Sequence, residues 1–128
     1  MTAHAADDRI GDHADAADIT LQRLLEAFAD PVRRSIVRQI ANAPDATACG
    51  TFNLSVTRST ATHHFRVLRQ SGLLRQSYVG TSKMNTLRRE DLEAAYPGLL
   101  DTLIAAANRE AAAAASASPS TVSADTAG

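Results

Sequence analysis

The chain has 128 residues, 45% of them hydrophobic and only 4% aromatic, with one cysteine and a formal net charge of −1. This suffices for one domain with a modest core, of a size that often leaves apolar surface for a second copy to cover. No apolar run of about 18 residues and no basic-then-apolar leader is present, so the expectation is a cytoplasmic chain without a membrane partner, and a lone Cys49 agrees with a reducing compartment.

The charge is unevenly spread. Asp7, Asp8, Asp12, Asp15 and Asp18 crowd the first eighteen residues against Arg9 alone, whereas residues 19–110 hold twelve Lys and Arg against eight Asp and Glu. A global charge near zero therefore hides a basic body, and local potential is what steers a polyanion. Residues 1–18 are Ala/Asp-rich with Ile10 as the one large apolar side chain. They read as a flexible acidic tail that buries too little to offset the entropy of ordering. His4 and His13 lie among its aspartates, in a solvated arm or a loose transition-metal set without fixed geometry.

Periodicity begins at Thr20. Leu21, Leu24, Leu25 and Phe28 form one stripe of a first helix running to about Ala29, and Asp30-Pro31 supplies an N-cap and a first-turn proline for the next. Val32, Ile36, Val37 and Ile40 face the core along that second helix, with Arg33, Arg34 and Arg38 elsewhere on its surface. Asn42–Asp45 is a turn. Ala46–Phe52 is the weakest part of the pattern, short and glycine-containing, and predicts a shortened helix or single turn burying Cys49 and Phe52; Leu54 and Val56 then plug the core ahead of the next element.

In the stretch 57–74, Ala61, Phe65 and Leu68 recur at helical spacing and must face a core. Thr57 suits the N-cap and Gly72 the left-handed residue past the last turn. The outward set is Arg58, Ser59, Thr62, His63, Arg66 and Arg69, all donors and none an acid, the chemistry required against phosphates and base edges. Arg58, Ser59 and Thr60 at the helix start lead the candidates for contact. His64 lies beside the apolar stripe, which favours a partly buried structural role. Extended segments Leu74–Tyr78 and Lys83–Leu87, joined through Val79-Gly80-Thr81-Ser82, complete a hairpin. After it, Arg88–Glu93 opens a helix with its acids in the first turn, Pro97 interrupts, and a last helix carries Leu99, Leu100, Leu103, Ile104 and Ala107. That last stripe needs another surface, for which the first helix of a second copy is the natural candidate. Ala111–Ala115 can prolong the helix, while 111–128 as a whole reads as an Ala/Ser-rich, largely disordered tail.

The runs D-P-V-R-R-S-I at 30–36 and S-T-A-T-H-H-F-R-V-L-R-Q-S-G-L-L at 59–74, followed by a Gly-containing hairpin, resemble the ArsR/SmtB family of bacterial winged-helix repressors over roughly residues 19–107. The resemblance implies a mostly α fold with a small β-hairpin wing (α+β), a winged helix-turn-helix with N- and C-terminal dimerisation helices. It implies a homodimer joined through Leu21, Leu24, Leu25, Leu99, Leu100, Leu103 and Ile104, with double-stranded DNA as partner. Two recognition helices about 34 Å apart would then read an inverted repeat. Contacts are expected from Thr57, Arg58, Ser59, Thr60, Thr62, His63, Arg66 and Arg69, from Lys83 and the Gly80 region of the wing, and from Arg33 and Arg34, since the family's second helix starts near the DNA backbone. Plain solvated arginines are the alternative for the last two.

Many members of that family release DNA on metal binding, through paired cysteines in the third helix or His and carboxylate ligands in the last. Here there is one cysteine and no histidine beyond His64, and Asp91 with Glu93 alone suits a borderline metal badly, so no metal site and no cofactor are expected. The inducer, a small molecule or a metal, is left open. Cys49 is either a buried small side chain or a redox or alkylation sensor, alone or with tail histidines. No Gly-rich phosphate loop or catalytic constellation points to an enzyme. A winged helix used only for contact with another regulator is the remaining alternative.

Overall fold

The computed structural model describes residues 10–43, 47–48 and 52–127. The elements run α1 (Leu21–Ala29), α2 (Pro31–Asn42), β1 (Thr47–Ala48), α3 (Arg58–Ser71), β2 (Leu74–Val79), β3 (Ser82–Leu87), α4 (Arg89–Ala95) and α5 (Leu99–Ala127). The sheet order is β1-β3-β2, antiparallel throughout, with Leu74 opposite Leu87 and Val79 opposite Ser82. This is a winged helix-turn-helix: helices first, then a hairpin.

Local chemistry sets the element ends. Thr20 accepts the Arg23 amide at 3.2 Å to cap α1, and Asp30 accepts the amides of Val32 and Arg33 at 2.8 and 3.2 Å to cap α2, whose first residue is Pro31. Those two amides hold the Asp30 carboxyl below its ordinary range although burial works against them. Each such cap contributes about 1 kcal/mol. Leu24, Ile36, Val37, Leu68, Leu73 and Leu74 form the centre of the core, each no more than 1% exposed. Phe52 meets Phe65 edge-to-face, ring centres 5.3 Å apart. The turn ahead of α3 is clamped to α2 by a reciprocal pair, Gln39 Nε2 to the Asn53 carbonyl and the Asn53 amide to Gln39 Oε1, both at 3.0 Å.

Several expectations are corrected. Where a shortened helix or single turn is predicted in 46–52, Thr47–Ala48 instead pairs with Asn85 and Met84 as a strand along the edge of β3. Residues 10–18, expected as a loose tail, lie against the domain: Ile10 is buried, and a 3-10 turn spans Ala16–Asp18. Beyond residue 110 the backbone remains helical to Ala127, in keeping with alanine's propensity. Of the residues expected between protomers, Leu24, Leu100 and Ile104 are buried within their own chain, because α1, α4 and α5 close over the same core. Leu21 and Leu25 are exposed, and Leu99 and Leu103 half-buried. No described helix is long and apolar enough to cross a membrane. Cys49 and His4 lie outside the described residues.

Candidate nucleic-acid interface

The site is built on α3. Thr57 accepts the Thr60 amide at 3.2 Å and donates to the Thr60 hydroxyl at 3.0 Å, so its oxygen is engaged in starting the helix. At the far end Gly72, at φ 92°, donates its amide to the Arg69 carbonyl. The left-handed turn sends the chain directly into β2. Phe65 and Leu68 anchor the underside in the core, which leaves Arg58, Ser59, Thr60, Thr62, His63 and Arg66 exposed on the outer face. Every one can donate, and none is acidic. Thr62 donates its hydroxyl to the Arg58 carbonyl at 3.0 Å.

The wing stands beside this face. Gly80, at φ 66°, makes the turn at its tip next to exposed Val79. A groove of about 300 Å³ between α3 and the wing is lined by Arg58, Thr62 and Lys83, with Phe65 and Gln76 below them. Lys83 is held over the Tyr78 ring at 5.9 Å, a contact that favours the cation's position without neutralising it.

Three expected arginines are directed elsewhere. Arg33 donates from Nε to the Ala27 carbonyl at 2.7 Å and from a terminal nitrogen to the Glu26 carbonyl at 3.2 Å. Arg34 donates to the carbonyls of Phe28 and Ala29 at 3.0 and 2.8 Å, and pairs with Glu110 at 3.3 Å. Both satisfy the last carbonyls of α1, where helix-end acceptors and the negative dipole end attract cations. Arg69 is 11% exposed and turned inward, with Nε on the Gly11 carbonyl at 2.9 Å and a terminal nitrogen on Gln76 Oε1. His64 is buried, as its place beside the stripe implied, and burial first of all holds its pKa below the ordinary value.

Reading the sequence missed a polar cluster beneath the site. Gln76 and Asn85 are almost fully buried on facing strands and bond at 2.7 Å, and the Gln76 amide donates to Nε2 of His13 at 2.9 Å. The alternation Leu74, Gln76, Tyr78 puts Gln76 on the inward face of β2, a signal that was available. Buried Arg88 bonds Asp91 at 2.9 and 3.1 Å and the Ala14 carbonyl. This matters for the metal chemistry of the family it resembles, since Asp91 is engaged by Arg88 and Glu93 accepts the Gly98 amide at 3.1 Å. Among the described residues, no three His, Cys, Asp or Glu side chains gather as metal ligands would. The described residues do not fit such a site.

Comparison with known proteins agrees with this geometry. Residues 28–77 match the family model described as a helix-turn-helix domain. Over 83 residues, covering 63% of this chain and 83% of the relative, the sequence is 28% identical to the uncharacterized HTH-type transcriptional regulator YceK of Bacillus subtilis (strain 168). Among solved structures, an ArsR family transcriptional regulator superposes with a TM-score of 0.52 at 19% identity, covering 64% of this chain and 84% of that one. It is the fold that this last likeness shows.

Proposed function

We propose that this chain, whose fold is a winged helix-turn-helix, is an ArsR-type transcriptional regulator working as a repressor, a homodimer that lays two copies of α3 into successive major grooves of an inverted-repeat operator. One observation carries the reading: the capped, exposed face of α3 carries donor side chains and no acid of its own, while its opposite face is fixed in the core. The open amides of its first turn and the positive end of its dipole add to the pull on phosphate. In this reading Arg58, Ser59 and Thr60 meet the backbone and the first bases, and His63 and Arg66 reach along the groove, with Thr62 beside them, its hydroxyl on the Arg58 carbonyl. Lys83 touches the flanking phosphates. Arg33, Arg34 and Arg69 are left out, their donors being held by carbonyls and by Gln76. Exposed Leu21 and Leu25, with Leu99 and Leu103, support a second copy as the cover for α1 and α5.

The test is fluorescence anisotropy of the purified protein on duplexes from the DNA upstream of its own coding region. Affinity is expected to fall on the order of a thousandfold between about 50 and 200 mM salt, through counterion release. Arg58→Ala should weaken binding and lower the salt slope by about one. A chain that bound no duplex at low salt, or bound with no salt dependence, would not be a DNA-reading regulator.

A further inference from the structure

Residues 10–14 lie along the same helix that carries the proposed DNA face. Ile10 is buried, the Gly11 carbonyl accepts Arg69 Nε at 2.9 Å, and the Ala14 amide donates to the Arg69 carbonyl at 3.1 Å. His13 accepts the Gln76 amide, and the Ala14 carbonyl accepts Arg88. Between these anchors Asp12 adopts φ 67°, uncommon for a side-chain-bearing residue, and its carboxylate sits 3.1 Å from Arg66 Nε and 3.9 Å from Arg69. Arg66 lies on the outer face and stays 59% exposed with this pairing in place.

We propose that this segment is an autoinhibitory strap: Asp12 takes on α3 the guanidinium that a DNA phosphate would otherwise take, and duplex binding requires the strap to withdraw. The proposal rests on the DNA reading above. A carboxylate and a phosphodiester are both monoanionic oxygen acceptors, and they compete for the donors of one guanidinium. Asp12 also carries a negative charge toward the approaching polyanion. The pair is exposed on both sides, and exposed pairs are weak. A duplex bringing many phosphates therefore displaces it, and the strap sets the affinity without abolishing binding.

Asp12→Asn removes the charge while keeping a residue that tolerates the left-handed backbone. At about 50 mM salt this variant is expected to bind duplex about three- to tenfold more tightly than the wild type, with the gain shrinking as salt rises. Asp18→Asn, the same charge change elsewhere on the arm, should alter affinity less than about twofold. In wild type, hydrogen exchange at the Ala14 amide should speed up on saturation with duplex. Equal or weaker binding by Asp12→Asn, or an Ala14 amide as protected with DNA as without, overturns the strap while leaving the DNA reading in place. Failure of both proteins to bind any duplex overturns the DNA reading and the strap with it.

Discussion

Arg33 and His64, 31 positions apart, meet with a guanidinium nitrogen 3.1 Å from Nδ1 of the ring. The arginine can only donate, so this nitrogen accepts and the ring is neutral with its proton on Nε2. Burial, then the Arg33 and His63 charges, hold the His64 pKa down against the pull of Asp30. One side chain thus ties the end of α1 to the underside of α3. Arg33→Ala is expected to cost about 2 kcal/mol in chemical denaturation, the loss of part-buried charge-assisted bonds. Arg33→Lys should recover little, lacking the fork. The salt slope of duplex binding should not change. A slope lowered by about one would return Arg33 to the phosphate backbone.

Gly72 and Gly80 both have positive φ, at 92° and 66°, yet their surroundings differ. A Cβ at Gly72 would lie 2.5 Å from Ile19 Cγ1, whereas one at Gly80 meets nothing within 4 Å. Gly80→Ala should therefore cost only the left-handed backbone penalty, about 1 kcal/mol. Gly72→Ala adds an overpacking penalty, bringing the loss to about 2–4 kcal/mol. Thermal denaturation of the two variants separates the terms, and equal losses would mean that Ile19 yields freely.

Much of this architecture was legible because its determinants are local. Asp30-Pro31, Thr57 and Gly72 mark helix ends through groups within three residues, and the stripe of Ala61, Phe65 and Leu68 fixes which side of α3 faces out. What was not legible depends on partners far along the chain. Nothing in residues 10–14 announces Arg69, Gln76 and Arg88 as their anchors; Ile10, alone in a polar run, was the one hint. The arginines divide in the same way. Composition gives the donor but not the acceptor, and the carbonyls closing α1 lie five to seven residues before Arg33 and Arg34. Thr47–Ala48 becomes a strand because β3 offers an edge, which no local propensity contains.

Leu21 and Leu25 are 45% and 46% exposed on α1, while Leu24 between them is 1% exposed. If a second copy covers this face, Leu21→Glu with Leu25→Glu should leave the protomer folded by circular dichroism and dissociate the dimer in sedimentation. Operator affinity should fall with it, each protomer keeping one half-site. Leu24→Ala should instead destabilise the fold by about 2–5 kcal/mol. A double glutamate variant that still sedimented as a dimer would move the interface to another surface.

His13 gives the strap a pH dependence whose sign can be worked out. Its ring faces Arg69 on α3, Arg75 on β2 and Arg88 ahead of α4; burial first, then these cations, hold its pKa below the ordinary 6.5, the Ile10 backbone bond working the other way. Protonating Nε2 would also destroy its capacity to accept the Gln76 amide. A released His13 takes up its proton near 6.5, whereas the docked one resists until lower pH. The contribution of docking is therefore complete above about 6.5 and is lost as pH falls through the lower, docked value. Gln76 amide protection, corrected for intrinsic exchange, should decline over that interval in wild type and stay level in His13→Gln. Duplex affinity should correspondingly rise on acidification more in wild type than in His13→Gln. Identical pH profiles for the two proteins would remove His13 from control of the strap.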